Sequence, residues 1–384
     1  MDGIKKILVL FPSVILYGKE RSNYEVFKIL KNEEQYSLKI IANKRATSEL
    51  KEMLNEFDTS YIYFPKRIGK FRLLKYLFRY ILVNCFMAFY MFRHKVDCIY
   101  LNDEMSIYDF FPSLLLTKAK LIYRIGDAPA FPTLTGYKFN SFVWDKIVNK
   151  KVSTIVSISN FIKSEIYKYG RKSKNDCVIY NFPPIRKLQN DERLNLMPVS
   201  SLVIGYLGRI DKIKGVHILI DAVIRMLDKN MDVVLYIAGD ISVYPDYYKE
   251  LHKKVFRNGY EKQIIFLGEL NNVASFFDNI DILCVPTIVQ EALGNVIVEA
   301  KLNKTPVVVF PSGGMPEIVS HGFDGYVCSD MTPESIENII DLYYENRSLV
   351  ELHSENSYNS LAKLGIRHEI FKENWLNVFI KTLR

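Results

Sequence analysis

The amino-acid sequence predicts an α/β protein built from two doubly wound domains that face each other across a cleft. The chain has 384 residues, which suits two domains of roughly 150–200 residues better than one core. Short apolar runs alternate with helical patterns, and this alternation stops once, in a polar, proline-flanked stretch, before it starts again. Open α/β sheets bind ligands at the carboxyl ends of their strands, so we expect the binding site in the cleft.

The first domain is expected over residues 1–185 and has a Rossmann-like pattern. Its short, nearly continuous apolar runs predict buried parallel strands at 7–11, 38–42, 61–64, 98–101, 120–124 and 154–158. A loop that contains Gly18 precedes a helix expected over about residues 23–30. The run at 7–11 follows two lysines, but Pro12 interrupts it and no small-residue cleavage site follows. We therefore interpret it as a first strand and not as a signal peptide.

The second domain is expected over residues 199–365, after a linker at about 181–198 that has no periodicity. Apolar runs predict strands at 202–207, 233–238, 264–267, 282–285 and 306–310. Helical patterns lie between them at 216–227, 247–256, 273–277 and 295–302. The last segment, 366–384, has helical spacing with aromatic anchors, and we expect it to pack back on the first domain.

Charge is distributed unevenly along the chain. Residues 1–190 hold 32 Lys and Arg against 17 Asp and Glu, a net charge of +15, and the remaining residues carry −7. An anionic partner should therefore meet the first half. The five cysteines form no CxxC pair and the histidines have no metal-binding spacing, which favours a reducing, cytoplasmic location and a site without metal.

A glycine loop with two cations follows the first strand of the second domain. Gly208 and Arg209 come directly after this strand, and Lys214 lies five residues further on, before a helix. Glycine lets a ligand approach the backbone, and the two cations could hold a diphosphate. The alternative is a solvated turn with ordinary surface cations.

Two carboxylates eight positions apart form the second candidate motif. Glu291 is expected in a loop and Glu299 about one turn into the next helix, whose first residues follow Gly294. A loop carboxylate can accept hydrogen bonds from sugar hydroxyls, and a helix carboxylate can accept those of a ribose. The helix start offers N–H groups and a positive dipole end to phosphate. The alternative is a surface helix with an acidic first turn.

Together these motifs resemble the retaining GT-B glycosyltransferases of family 4. The resemblance runs nearly in register over about 203–328 and also covers Gly239, the Phe-Leu-Gly at 266–268, the Gly-Gly-Met-Pro-Glu at 313–317 and the Gly-Tyr-Val at 325–327. It implies a GT-B fold and a hexosyltransferase-type enzyme of EC class 2.4.

The resemblance also implies roles for individual residues. Arg209 and Lys214 would neutralise the departing diphosphate, Glu291 would contact the donor sugar, and Glu299 would bind the ribose. Further donor-binding positions are Gly208, Gly239, Gly268, Gly294, Asn295 and Val296. Family members usually need no metal.

The first half resembles the family less closely. Gly18 lies in a loop where the family has two adjacent glycines, and only one is present here. Gly126 stands where many members have the His of a His-Asp pair. The resemblance then leaves Asp127 or Arg124 to line the site instead, with Asp127 as a catalytic candidate beside Arg209, Lys214 and Glu291, and with Gly18 and Arg124 on the acceptor side. Asp127 could instead cap a helix.

Residues 66–92 combine six cations with leucines and aromatic residues. Charged residues interrupt the apolar stretch, so a membrane span is disfavoured. Positions 72, 75 and 79 share one helical face, which is typical of a helix lying at an anionic membrane surface. The alternative is a core helix with a basic edge.

These observations predict a retaining glycosyltransferase that uses a nucleotide-diphosphate sugar, with UDP favoured over GDP. The expected acceptor is a lipid-linked glycan of capsule, O-antigen, lipopolysaccharide or exopolysaccharide biosynthesis, reached at the inner face of the cytoplasmic membrane. A GT-B sugar-nucleotide epimerase and a non-catalytic nucleotide-sugar-binding subunit are the alternatives. Nucleic-acid binding is not expected, because no recognition motif accompanies the basic half.

Overall fold

The computed structural model describes residues 3–65, 73–128, 137–183, 200–270 and 273–384. The chain forms two compact units. The first contains Met1–Pro184 together with His368–Arg384, and the second contains Ile185–Arg367. Most of the linker expected at 181–198 lies outside the described residues, as do the first cations of the 66–92 stretch.

A parallel sheet of seven described strands forms the first unit, in the order β3-β2-β1-β4-β5-β6-β7. The strands are β1 (Lys5–Phe11), β2 (Tyr36–Asn43), β3 (Thr59–Ile62), β4 (Cys98–Leu101), β5 (Lys120–Ile125), β6 (Val152–Ser157) and β7 (Cys177–Val178). The order reverses between β1 and β4, which is the point where open α/β sheets bind ligands. The central strands are buried because helices cover both faces of a parallel sheet.

The helices of the first unit include one from the far end of the chain. They are α1 (Gly18–Lys31), α2 (Ser48–Leu54), α3 (Leu73–Arg93), α4 (Glu104–Asp109), α5 (Phe111–Leu116), α6 (Tyr137–Val143), α7 (Asn160–Tyr167) and α14 (His368–Leu383). A π-helical turn, Trp144–Asn149, continues α6. Helix α14 buries Phe371, Trp375 and Phe379 against this unit, where the Trp375 ring meets the Tyr100 ring of β4.

The second unit contains a parallel sheet of six described strands in the order β10-β9-β8-β11-β12-β13. They are β8 (Leu202–Leu207), β9 (Val233–Ala238), β10 (Ile264–Gly268), β11 (Ile282–Val285), β12 (Val307–Val309) and β13 (Gly325–Val327). Its helices are α8 (Val216–Asp228), α9 (Pro245–Asn258), α10 (Val273–Phe277), α11 (Asn295–Leu302), α12 (Pro333–Glu345) and α13 (Ser348–Lys363). The switch point lies between β8 and β11.

These two parallel sheets confirm the predicted fold class of two doubly wound α/β domains. Strands β4, β8, β9 and β11 begin and end where the sequence predicts. Two short strands at sheet edges, β7 and β13, were not among the predicted strands. They contain two and three residues, which is too short for a hydrophobic period to be recognised.

Candidate functional site

The candidate donor site lies at the switch point of the second sheet. Strands β8 and β11 are parallel neighbours there, with Ile282 beside Ile204 and Leu283 beside Gly205. The loops that follow these two strands therefore begin next to each other. The first loop carries Arg209 and Lys214, and the second carries Glu291. The sequence motifs predicted separately for phosphate and for sugar are thus adjacent in space.

The loop after β8 is fixed by its own hydrogen bonds. The hydroxyl of Tyr206 donates to the Arg209 carbonyl oxygen at 2.7 Å. The Arg209 guanidinium is 44% exposed and lies 3.7 Å from the carboxylate of Asp211. Lys214 ends a short 3₁₀ turn, Lys212–Lys214. One cation is therefore open to solvent at this edge, while the other is partly enclosed.

Lys214 and Glu291 form an ion pair, although 77 positions separate them in the sequence. The two side chains are 23% and 26% exposed, so the pair is partly buried but still accessible. The residue expected to hold the diphosphate and the residue expected to hold the sugar therefore contact each other directly. A donor that places its sugar–phosphate link here would meet a cation and an anion within one ion-pair distance.

Two glycines hold the Glu291 loop from both sides. Gly215 has φ +73°, and a Cβ at this position would lie 1.8 Å from the carbonyl oxygen of Pro286. Gly313 has φ +59°, and its Cβ would lie 2.1 Å from the Glu291 carbonyl oxygen. The Gly314 N–H donates to that same oxygen at 2.8 Å. Since a side chain at either glycine would displace the loop, both positions fix the path of the backbone that carries Glu291.

Helix α11 extends directly from this loop. It begins at Asn295 after Gly294, which has φ +88°, and Glu299 lies in its second turn, partly exposed. Lys301 anchors the helix from below. Its ammonium is fully buried, lies 2.8 Å from the buried carboxylate of Asp324, and also donates to the Ile318 carbonyl oxygen. Burial lowers the pKa of Lys301, while the charge of Asp324 opposes that change.

The remaining predicted donor-side glycines continue along the same carboxyl edge. Gly208 donates its N–H to the Ala238 carbonyl oxygen at 3.0 Å, and Gly239 donates to that of Gly268 at 2.8 Å. The chain thus links the ends of β8, β9 and β10 through backbone hydrogen bonds. The structure brings all predicted donor-binding residues, including Asn295 and Val296 of α11, to the carboxyl side of one sheet.

The switch point of the first sheet holds a second cluster of charges, centred on Lys19 near the start of α1. Its ammonium forms an ion pair with Asp103, which caps α4, and lies 3.6 Å from Asp127, which follows β5. Burial alone would lower the pKa of Lys19, but the two carboxylates outweigh it and raise that pKa above its ordinary value. The lysine thus stays charged between two strand ends.

Lys19 and Asp103 were not among the predicted site residues. Lys19 lies directly after Gly18, inside the loop that the sequence singles out, and Asp103 follows β4 by two positions. Because both residues lie in the segments that follow predicted strands, the sequence could have identified them as site candidates. The side chain of Asp127 is 77% exposed at this edge, and residues 129–136 after it lie outside the described part of the chain.

Arg124 lies inside the first unit rather than on its surface. Its side chain is buried and donates to Ser22 at 2.7 Å and to Asn181 at 2.5 Å. Its guanidinium also lies 5.7 Å from the ring centre of Trp375. Arg124 therefore joins α1, β5 and α14. Gly18 is exposed as the first residue of α1.

Among the residues that the structure describes, no group of three or more His, Cys, Asp or Glu side chains is placed to hold a metal ion. Of the helices within the described ranges, none combines the length and the hydropathy that a transmembrane span requires.

Residues 189–360 match the family model "Glycosyl transferases group 1", which covers most of the second unit. Two curated relatives extend the match further. The capsular polysaccharide biosynthesis glycosyltransferase CapM of Staphylococcus aureus is 24% identical over 262 residues, or 65% of this chain and 68% of CapM. An uncharacterized glycosyltransferase of Methanocaldococcus jannaschii is 23% identical over 380 residues, or 93% of this chain and 94% of that protein.

Solved structures match the whole chain in fold. Anabaena HepE, solved in complex with UDP and glucose, has a TM-score of 0.79 at 22% identity and covers 98% of this chain and 100% of its own. A glycosyltransferase from Rickettsia africae has a TM-score of 0.82 at 18% identity, with both chains covered completely. The lipopolysaccharide outer core galactosyltransferase WaaB has a TM-score of 0.76 at 15% identity, over 98% of this chain and 99% of its own.

Proposed function

We propose that this GT-B glycosyltransferase transfers a sugar from a UDP-sugar to a hydroxyl acceptor and retains the anomeric configuration. The observation that carries the proposal is the contact of Lys214 with Glu291 at the switch point of the second sheet. It joins a phosphate-binding side chain to a sugar-binding side chain where open α/β sheets bind ligands. The family model covers the residues concerned.

In the proposed reaction, the bond between the anomeric carbon and the diphosphate oxygen breaks, and its electron pair stays on UDP. The acceptor oxygen bonds to the same face of that carbon, and the acceptor proton passes to the departing diphosphate. Negative charge therefore grows on the diphosphate in the transition state. Arg209, Lys214 and the start of α11 would stabilise that charge from fixed positions.

The two carboxylates have separate tasks in this proposal. Glu291, next to Lys214, accepts hydrogen bonds from the donor sugar. Glu299 lies about one turn further along α11 than Asn295, which is at the phosphate end, and accepts the ribose hydroxyls. The buried pair of Lys301 and Asp324 holds the helix that carries Glu299. Gly294, Asn295 and Val296 would offer their backbone at the phosphate end of the same helix.

UDP is the proposed donor nucleotide, with GDP as the competing choice. HepE, which shares the fold over nearly the whole chain, was solved with UDP, with UDP-glucose, and with UDP and glucose. For the sugar, we propose a hexose.

The proposed acceptor is a lipid-linked glycan at the inner face of the cytoplasmic membrane. CapM acts in capsular polysaccharide biosynthesis and WaaB is a lipopolysaccharide outer core galactosyltransferase, as their names state. The acceptor would meet the first unit, which carries Lys19, Asp103 and Asp127 at its switch point. Membership of family 4 and a role in surface polysaccharide assembly are parts of this proposal.

We further propose that the reaction needs no metal, because Arg209 and Lys214 supply the positive charge at the diphosphate. Turnover should then be the same in EDTA as in added Mg²⁺ or Mn²⁺. A loss of turnover in EDTA that divalent cations restore would contradict this part of the proposal.

Thermal denaturation with a panel of nucleotide sugars tests the donor. A ligand at 100 times its Kd stabilises by about 2.7 kcal/mol, which raises Tm by about 5–11 °C in a domain of this size. We expect the largest rise with UDP and UDP-hexoses. The nucleotide sugar that gives the largest rise is then incubated with lipid-linked glycans extracted from membranes, and the anomeric linkage of the product is assigned by NMR.

Three outcomes would contradict the proposal. Conversion of a UDP-sugar to its epimer without acceptor would show an epimerase. Tight UDP-sugar binding without hydrolysis or transfer to any acceptor would favour a binding subunit. An inverted linkage in the product would exclude the retaining reaction.

A further inference from the structure

Helix α3 has an unusual distribution of side chains. Asn84 and Tyr80 face the body of the first unit: Asn84 donates to the Asp109 carbonyl oxygen at 3.0 Å, and the Tyr80 hydroxyl donates to that of Tyr108 at 3.0 Å. The Asn84 side-chain oxygen also accepts the Ser113 N–H at 3.1 Å. The inner face of α3 therefore uses polar groups to reach α4 and α5.

The opposite face of α3 is apolar and exposed. Positions 78, 82, 85, 89 and 92 recur at the helical spacing and share one side of the helix. The exposed fractions are 65% for Phe78, 65% for Phe89 and 85% for Phe92, and Leu82 and Cys85 between them are also exposed. Ile81 and Phe86 border this face and are more than half exposed. A row of exposed phenylalanines of this length marks an interaction surface.

Neighbouring helices extend the apolar surface. Helix α5 packs on α3 and ends in Leu115 and Leu116, which are exposed. The Phe111 ring of α5 contacts the rings of Phe139 and Phe142 on α6, and these two side chains are each half exposed. We define the outward residues of α3, α5 and α6 together as the apolar face.

Charge indicates what covers the apolar face. Exposed cations lie on the same helices or directly after them: Arg79 and Arg93 on α3, Lys118 after α5, and Lys138 on α6. The sequence adds four more directly before α3, among residues 66–72, and residues 1–190 carry +15 in total. A second copy of this chain would bring the same positive charge against itself. A partner with an apolar interior and an anionic border would match both the exposed phenylalanines and the cations near them.

We propose that the apolar face inserts into the headgroup region of an anionic lipid bilayer, with the phenylalanines of α3 reaching the acyl boundary. Aromatic side chains are favoured at this depth, and cations at its border meet anionic headgroups. The binding is then chiefly apolar, with a smaller electrostatic contribution. From the sequence, the whole 66–92 stretch is predicted to lie at an anionic surface through its cations and aromatic residues, and the exposed residues of α3 identify which of them supply the apolar contribution. This proposal rests on the proposed function in one respect only, namely that a lipid-linked acceptor gives the protein a reason to bind a membrane.

Vesicle co-sedimentation of the full chain tests the proposal. The test variant carries Phe78→Gln, Phe89→Gln and Phe92→Gln. The control variant makes the same number of changes at exposed apolar residues of helices in the second unit, Phe256→Gln, Leu342→Gln and Leu352→Gln. Vesicles are pure phosphatidylcholine or contain phosphatidylglycerol, and each is used at low and high salt.

We expect the wild type and the control to sediment with phosphatidylglycerol vesicles, and to remain partly bound at high salt, where electrostatic attraction is screened. The test variant should lose at least about tenfold in partition coefficient, since its apolar contribution is removed. Its UDP-induced shift in Tm should match the wild type, which shows that it is folded and that the donor site is independent.

Equal sedimentation of the wild type and the test variant would overturn the proposal. So would complete release of the wild type by salt, since that would leave only electrostatic attraction. If the wild type sediments with neither kind of vesicle but forms dimers, and the test variant does not form dimers, a second copy of the chain covers the apolar face instead. Failure of UDP to bind any variant would instead contradict the proposed function and leave the membrane result intact.

Discussion

The ion pair between Lys214 and Glu291 predicts the direction in which the affinity for UDP changes when Glu291 is replaced. In the protein without donor, the ammonium that should receive the diphosphate is held by a carboxylate. A diphosphate that binds Lys214 must share it with Glu291 and must also approach that negative charge. The Glu291→Gln substitution removes both penalties. It should therefore tighten the binding of free UDP, while it weakens the hold on the donor sugar.

The size of the expected change in UDP affinity follows from how exposed the Lys214–Glu291 pair is. Both side chains are about one quarter exposed, so solvent screens much of the attraction. Pairs of this kind contribute about 1 kcal/mol or less. Releasing Lys214 from such a pair should lower the Kd for UDP by up to about fivefold. Turnover of the UDP-sugar should nevertheless fall, because the charged acceptor for the sugar hydroxyls is lost.

Isothermal titration calorimetry with UDP measures this effect at two salt concentrations. Glu334→Gln is the matched control, since it removes the same charge in the same unit but at α12, where Glu334 pairs with Arg225. The control should leave the Kd for UDP unchanged. Weaker UDP binding by Glu291→Gln would refute the reasoning, because it would show that Glu291 supports the nucleotide directly. Unchanged binding would contradict the predicted competition between Glu291 and the diphosphate for Lys214.

Three further predictions concern the same unit. Arg209→Ala should lower turnover by about a hundredfold, because a fixed charge at the departing diphosphate is lost; steady-state kinetics measures this, and near-normal turnover would remove the proposed phosphate clamp. Glu299→Gln should weaken UDP and uridine to a similar extent in competition assays, and a selective loss of sugar contacts would contradict the ribose assignment. Lys301→Met leaves the buried charge of Asp324 uncompensated, which costs about 3–5 kcal/mol and should lower Tm by about 10 °C. Combining it with Asp324→Leu should restore most of that loss, and a double variant no more stable than the single one would show that charge pairing is not the cause.

The sequence by itself determined the two sheets and the donor-side motifs. Parallel strands are buried on both faces, so β4, β8, β9 and β11 are nearly continuous apolar runs whose ends can be recognised locally. Arg209, Lys214, Glu291 and Glu299 could be recognised because they lie in the glycine-containing loops that follow β8 and β11 or in the helix that comes next, and the resemblance to a known family implied their roles. Charge along the chain likewise needs no structure.

Tertiary structure decided which of these residues touch. Lys214 and Glu291 are 77 positions apart and become partners because β8 and β11 are neighbours in the sheet. Lys19 likewise meets Asp103 across β1 and β4. A local pattern gives each element's faces, but strand order is needed to say which loop ends lie together.

Helix α3 shows the same division between local and tertiary information. The sequence reveals a helical run rich in aromatic residues and bordered by cations, but periodicity cannot say which face points inward. The hydrogen bonds of Asn84 and Tyr80 to α4 and α5 settle this, because buried polar groups require partners. They turn the phenylalanines outward, and only the packed first unit reveals that exposed row.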